Sequence, residues 1–225
     1  MLRRIIFSVP MKKSKSDDFS RRLRFLCEID KVKSIYRHTL LMDGSRREND
    51  AEHAWHLAIM AVLLSDLSRS RRINILKVVK MVLIHDIVEI DCGDVFLYDE
   101  ILRHKQKKQE ARAARRIFNL LPNDQAKELL RLWQEFEEKK TAEARFAAAL
   151  DRFQPILHNY KTGGRVWKKA KVDPAKVLTI NEHINHGAPR LWEQVKWMVA
   201  DGTRKGFFGK RRVTGRAAPG SRPRR

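Results

Sequence analysis

The sequence predicts an all-α protein, and three observations carry that expectation. Apolar residues recur at helical spacing in one segment after another. No run alternates strictly with period two between hairpin turns. The most strand-like stretch, 73–90, is eighteen residues long and outruns a normal strand. The chain has 225 residues and 43% hydrophobic content, which fits one domain with a sizeable core and excludes a wholly disordered protein.

In chain order, 18–34 places Phe25, Leu26, Ile29 and Val32 at the spacing of a first amphipathic helix. The polar stretch MDGSRREND (42–50) reads as a loop, with Asn49 or Asp50 able to cap the helix that follows. That helix, 51–67, is apolar almost all round, as expected of a central buried helix. Segment 73–90 reads as a second buried helix. Over 100–121, Ala111, Ala114, Ile117, Phe118 and Leu121 share one face, and Pro122 interrupts. Leu129, Trp133 and Phe136 mark another amphipathic helix. Thr141 and Glu143 suit the start of one containing Phe146, Leu150, Phe153 and Leu157. Two shorter helices, 174–184 and 189–200, close the body.

The net charge of +21 invites a nucleic-acid or membrane reading. Its distribution argues otherwise. Residues 1–24 hold eight basic and two acidic side chains, and 204–225 hold nine basic and none acidic. The ends therefore carry +15, and the span 25–203 nets only +6. The expected organisation is a basic disordered extension (1–17), a folded domain (18–203) and a disordered Gly/Pro/Arg-rich tail (204–225). The start, MLRRIIFSVP, is too short in its apolar part for a signal peptide and reads as disordered, or as an extension upstream of an effective start at Met11. The longest apolar run, 57–64, cannot span a bilayer, so no membrane is expected. Cys27 and Cys92 form no disulfide or zinc pattern, which suits a reducing cytoplasm.

The residues that carry chemistry interrupt apolar helices. His85-Asp86 falls inside MVLIHDIVEI, where a buried ionisable pair is costly unless compensated. His53 begins the preceding apolar helix, and Asp151 lies inside FAAALDRFQPIL. Imidazole and carboxylate together suit a borderline divalent cation. From the residues alone two readings stand: core side chains bonded to carbonyls, or one ion held between helices.

The ordered set His53, His85-Asp86, Asp151 resembles the H…HD…D signature of the HD-domain metal-dependent phosphohydrolases. The resemblance extends through NDAEHAWHLAIMAVLL (49–64), KMVLIHDIVEIDCGD (80–94), LLPNDQAKELLRLWQEFEEKKTAEARFAAALDRFQPIL (120–157) and NYKTGGRVW (159–167). Across roughly 20–200 it is similar to a bacterial group close to the 5′-deoxynucleotidases. The resemblance implies an all-helical HD domain in which His53, His85, Asp86 and Asp151 hold one divalent ion (Mn, Co, Fe, Ni, Zn or Mg). It implies catalytic roles for Glu89 and Asp94, at the water and near the leaving sugar oxygen. Arg37 matches a basic residue that meets the phosphate, and its fork suits that task. His38 departs from the bulky aromatic of the deoxynucleotidases, a position on the nucleoside side. His56, three residues from His53, is an alternative ligand or a packing residue.

The expected activity is metal-assisted removal of phosphate from a nucleoside 5′-monophosphate, deoxy or ribo. The alternatives are hydrolysis of another nucleotide or phosphoester, or nucleic-acid binding through the basic termini. An acidic pair typical of (p)ppGpp hydrolases is replaced by Glu89-Ile90, and no GYP motif follows the His-Asp pair. A small phosphorylated substrate is thus the expected partner, with a homodimer as a further implication of the resemblance.

Overall fold

The computed structural model describes residues 18–209. The expected disordered ends, 1–17 and everything after 209, lie outside the described residues. Helix α1 (Asp18–Ile29) ends in a 3₁₀ turn, Asp30–Ser34. The chain then forms an antiparallel hairpin of β1 (Tyr36–Leu40) and β2 (Arg47–Asn49), with Tyr36 opposite Asn49 and Leu40 opposite Arg47. This hairpin corrects the reading of 42–50 as plain loop; the class remains helical.

Asn49 caps α2 (Asp50–Leu63) in a reciprocal capping box with Glu52. α3 (Ile75–Ile84) stops at His85, where His85–Val88 tightens into a 3₁₀ turn before α4 (Glu89–Cys92). The single helix expected over 73–90 is therefore broken at the His-Asp pair. The cause is local: the carbonyl of Val82 accepts from the ring Nδ1 of His85 at 2.9 Å, at a helix end where carbonyls lose their main-chain donors. Gly93, at φ 72°, ends α4.

α5 (Glu100–Phe118) and α6 (Asn123–Glu138) pack together and lead to α7 (Ala142–Lys161), which Thr141 caps as expected. Four short or moderate helices follow: α8 (Arg165–Lys169), α9 (Pro174–Asn181), α10 (Ile184–Gly187) and α11 (Pro189–Arg204).

The central helix is α7, not α2. α7 meets α2, α3, α6, α10 and α11, and buries Phe146, Leu150, Phe153 and Ile156. Side chains of this size each stabilise by roughly 1.5–3 kcal/mol when fully buried. Its small residues Ala147, Ala148 and Ala149 let neighbours come close. At Gly187 in α10, an added Cβ would fall 2.1 Å from the Arg145 carbonyl oxygen and 2.9 Å from Ala149 Cβ. α2 by contrast leaves Trp55, Ile59, Val62 and Leu63 exposed, so it is not buried all round.

The packed body also runs past the expected limit at 203. Phe208 stacks on Trp167 with centroids 4.6 Å apart, and Phe207 meets Tyr160 edge-on.

Candidate functional site

Three helical segments bring four ionisable side chains to one point. α2 supplies His53 from its first turn, the 3₁₀ turn supplies His85 and Asp86, and α7 supplies Asp151. His53 is fully buried, and His85 and Asp151 nearly so. His53 Nε2 lies 3.2 Å from Asp151 Oδ1 and 3.9 Å from Asp86 Oδ2. His85 Nε2 lies 3.1 Å from Asp86 Oδ2 and 3.5 Å from Asp151 Oδ1. All four residues singled out in the sequence are thus brought together.

The chemistry of this donor set fits a cation. His85 Nδ1 donates to the Val82 carbonyl, so Nε2 is the nitrogen left to face a cation, and that buried nitrogen makes no hydrogen bond among the described residues. A divalent ion bonded at about 2.0–2.2 Å to such ligands spaces them about 3.0–3.6 Å apart. The observed separations of 3.1–3.9 Å are close to that. Without a cation the site keeps its balance with protons. Burial alone would push His85 down, but the Asp86 and Asp151 carboxylates outweigh it and raise its pKa to about 10. Burial likewise opposes ionisation of Asp86, yet His85 and Arg37 hold it well below the usual carboxylate range.

The other expected residues surround this point. Arg37, on β1, puts Nη1 2.5 Å from Asp86 Oδ2 and 3.1 Å from Asp50 Oδ1, while its buried Nε has no partner. Glu89 is pushed well up from its ordinary value, by burial first and then by the Asp86 and Asp50 charges, which favours its protonated form. Its Oε2 is buried without a partner. Asp94 accepts the backbone N–H of His38 at 3.1 Å, which ties it to β1. The His38 ring lies against Phe96, and Phe96 against Tyr98, giving the site an aromatic wall. Arg37, Asp86, Glu89, Asp94, Phe96 and Arg152 share a cavity of about 420 Å³.

Sequence reasoning missed four residues here. Asp50 is almost fully buried beside Arg37, with its pKa raised to about 6 by burial and by Asp86. Its place in the polar stretch suggested only a cap, a role that Asn49 fills. Glu48, Gln154 and His158 form a buried group behind His53, and His56 joins it instead of the ligand cluster. No spacing in the sequence signals that association, because β2, α2 and α7 meet only in the fold.

Comparison with known proteins bears on the family of the chain. A family profile described as an HD domain matches residues 29–192. The 5′-deoxynucleotidase HDDC2 of Homo sapiens is 33% identical over 136 residues, which are 60% of this chain and 65% of that protein. The chain thus spans just under two thirds of that relative's length. The protein of the same name from Dictyostelium discoideum is 31% identical over 147 residues, 63% of this chain and 77% of its own. A solved structure from Magnetospirillum magnetotacticum MS-1, described as a predicted metal-dependent phosphohydrolase, is 48% identical. It superposes with a TM-score of 0.82 over 86% of this chain and 96% of that one.

Proposed function

The chain belongs to the HD-domain family, and from that premise we propose that it is a metal-dependent phosphohydrolase acting on a nucleoside 5′-monophosphate, deoxy or ribo. The observation that carries the proposal is the buried, partnerless Nε2 of His85 facing two carboxylates beside a polar cavity of about 420 Å³. In this reading His53, His85, Asp86 and Asp151 hold one divalent ion. The relatives named 5′-deoxynucleotidase and the neighbour described as a phosphohydrolase support it.

A divalent ion there would supply Lewis-acid chemistry, acidifying a water and offsetting phosphate charge. The chain's own residues do the rest. Arg37 exchanges its resting partners Asp86 and Asp50 for non-bridging phosphate oxygens, which its fork fits. Glu89, whose burial favours the protonated form, orients the water, and it takes the water's proton only after losing its own to solvent, a loss that positive charge nearby would favour. Asp94, fixed by the His38 N–H, stands by the leaving oxygen. The P–O ester bond breaks, water adds to phosphorus, and the products are a nucleoside and inorganic phosphate. The wall of His38, Phe96 and Tyr98 offers the base a stacking surface.

Two partner assignments accompany this reading. The exposed stripe of Trp55, Ile59, Val62 and Leu63 on α2 supports a homodimer, which sedimentation of the wild type and of Trp55→Ser/Leu63→Ser would test. Two free cysteines support a reducing compartment such as the cytoplasm. Among the described residues no helix is long and apolar enough to cross a membrane.

The test is phosphate release from nucleoside mono-, di- and triphosphates by metal-stripped protein resupplied with Mn, Co, Fe, Ni, Zn or Mg. Metal-dependent release from monophosphates is expected. If Asp86→Ala keeps both its metal content and its phosphatase activity, the proposal fails.

A further inference from the structure

A hydrogen-bond chain of fixed direction ends on His53. It begins at the main-chain carbonyl of Leu40, which can only accept, so His158 Nδ1 donates to it at 2.9 Å. Gln154 is fully buried, and one end of its amide lies 2.6 Å from Glu48 Oε1 and 3.0 Å from His158 Nε2. A carboxylate oxygen only accepts, and His158 Nδ1 already carries a proton, so the amide end facing both is the NH₂. The other amide end, Gln154 Oε1, accepts only, and it faces His53 Nδ1 at 3.2 Å. The second oxygen of Glu48 lies 3.6 Å from that nitrogen and has no other partner. His53 Nδ1 therefore carries a proton, and Nε2, which meets Asp151 Oδ1 at 3.2 Å and lies 3.9 Å from Asp86 Oδ2, is the ring nitrogen at which a cation can take the place of a proton.

We propose that Gln154, backed by Glu48 and His158, is a positioning residue that holds the Nδ1 proton and ring orientation of His53, so that Nε2 is presented for metal binding. This rests on the metal-site reading above and adds to it residues that touch neither ion nor substrate. A partner that orients a ligating imidazole through its other nitrogen commonly matters about 10–100-fold in metal affinity.

The same side chains invite a rival interpretation. Glu48, His56 and His158 each offer a ligand atom within 4.8 Å of the others, a donor set that suits a second cation. The amide nitrogen of Gln154 stands among them, at 2.6 Å, 3.0 Å and 3.3 Å from Glu48, His158 and His56. A buried N–H donor already fills the place that an ion would take.

The experiment is zinc binding by the metal-stripped full chain, read with the ¹⁵N ring resonances of its histidines. Wild type is expected to bind one equivalent and to show a slowly exchanging Nδ1 proton on a zinc-ligated ring, a signal lost in His53→Ala. Gln154→Leu is expected to bind zinc about 10–100-fold more weakly and to lose that slow exchange. The paired exchange Gln154→Glu/Glu48→Gln keeps an acceptor for His53 and a donor between the two side chains. It is expected to recover most of the affinity, which also covers the case of Gln154→Leu failing to fold. Unchanged affinity and exchange in Gln154→Leu would overturn the relay alone. A second equivalent of zinc that disappears in His158→Ala would overturn it in favour of a second cation site. No zinc bound by wild type would instead remove the metal reading itself.

Discussion

Two clusters of histidine and carboxylate lie back to back on the His53 ring, and they differ in what fills them. On the Nδ1 side, Glu48, His56 and His158 surround the amide nitrogen of Gln154, a donor among acceptors. On the Nε2 side, His85 Nε2 faces Asp86 and Asp151, Arg37 reaches Asp86, Arg152 Nε lies 3.4 Å from Asp151 Oδ2, and His85 Nε2 makes no hydrogen bond among the described residues. Residue type is nearly the same in both. The presence of a neutral donor makes the first cluster a closed part of the core, and its absence leaves the second open to a cation. Buried polar groups are nearly always satisfied, and the partnerless His85 Nε2, facing two carboxylates, fits a place kept for a cation.

The comparison can be broken most forcefully by giving the open cluster a donor of its own. Asp151→Asn places an amide where His53 Nε2 and His85 Nε2 now meet a carboxylate, copying the arrangement around Gln154. Metal binding and phosphate release should fall by more than the roughly 100-fold upper cost of losing an outer partner. The metal-free melting temperature should hold or rise. A clear drop in that melting temperature would show that the open cluster is structural.

Adding metal sharpens the contrast at intermediate size. At a concentration about 100 times the dissociation constant, zinc should stabilise the wild type by about 2.7 kcal/mol. It should leave Asp86→Ala unchanged. The readout is the denaturation midpoint with zinc and with chelator.

A third histidine supplies the smallest effect. His183 is half-buried near Lys139 and Arg152, with its Nε2 buried and unbonded among the described residues, and burial followed by those charges lowers its pKa to about 4. The unfolded chain takes up this proton first, near the ordinary value of about 6.5. Its stabilising contribution is therefore complete above that pH and is lost as pH falls towards 4. His183→Gln should flatten this part of the denaturation profile; an identical profile would contradict the assignment.

What could be read from the sequence follows from the same physics. His53, His85, Asp86 and Asp151 stood out because each interrupts an apolar helix, where an ionisable group needs a reason. Glu48 and Asp50 did not, since polar residues in a polar stretch carry no such signal; only the packing of the hairpin and α2 in the fold buries them. Gln154 was silent because an amide two residues from Arg152 looks like surface. Most helices were legible from their periodicity and caps. The break at His85 was not, because a ring nitrogen bonded to the Val82 carbonyl leaves the apolar pattern undisturbed. The short hairpin, with its mixed exposure, has no alternation to read. Apolar composition also favoured α2 as the centre, whereas close approach through Ala147–Ala149 and Gly187 gives that place to α7.

The central claim is that one ion, held by the open cluster, makes this chain a phosphohydrolase. Its most direct test is a zinc or manganese titration of metal-stripped protein, with phosphate release from a deoxynucleoside 5′-monophosphate followed at each addition. Release should climb in proportion to bound metal and level off at one equivalent per chain, and Asp86→Ala should neither bind nor release. Release that proceeds equally well before any metal is added would contradict the account.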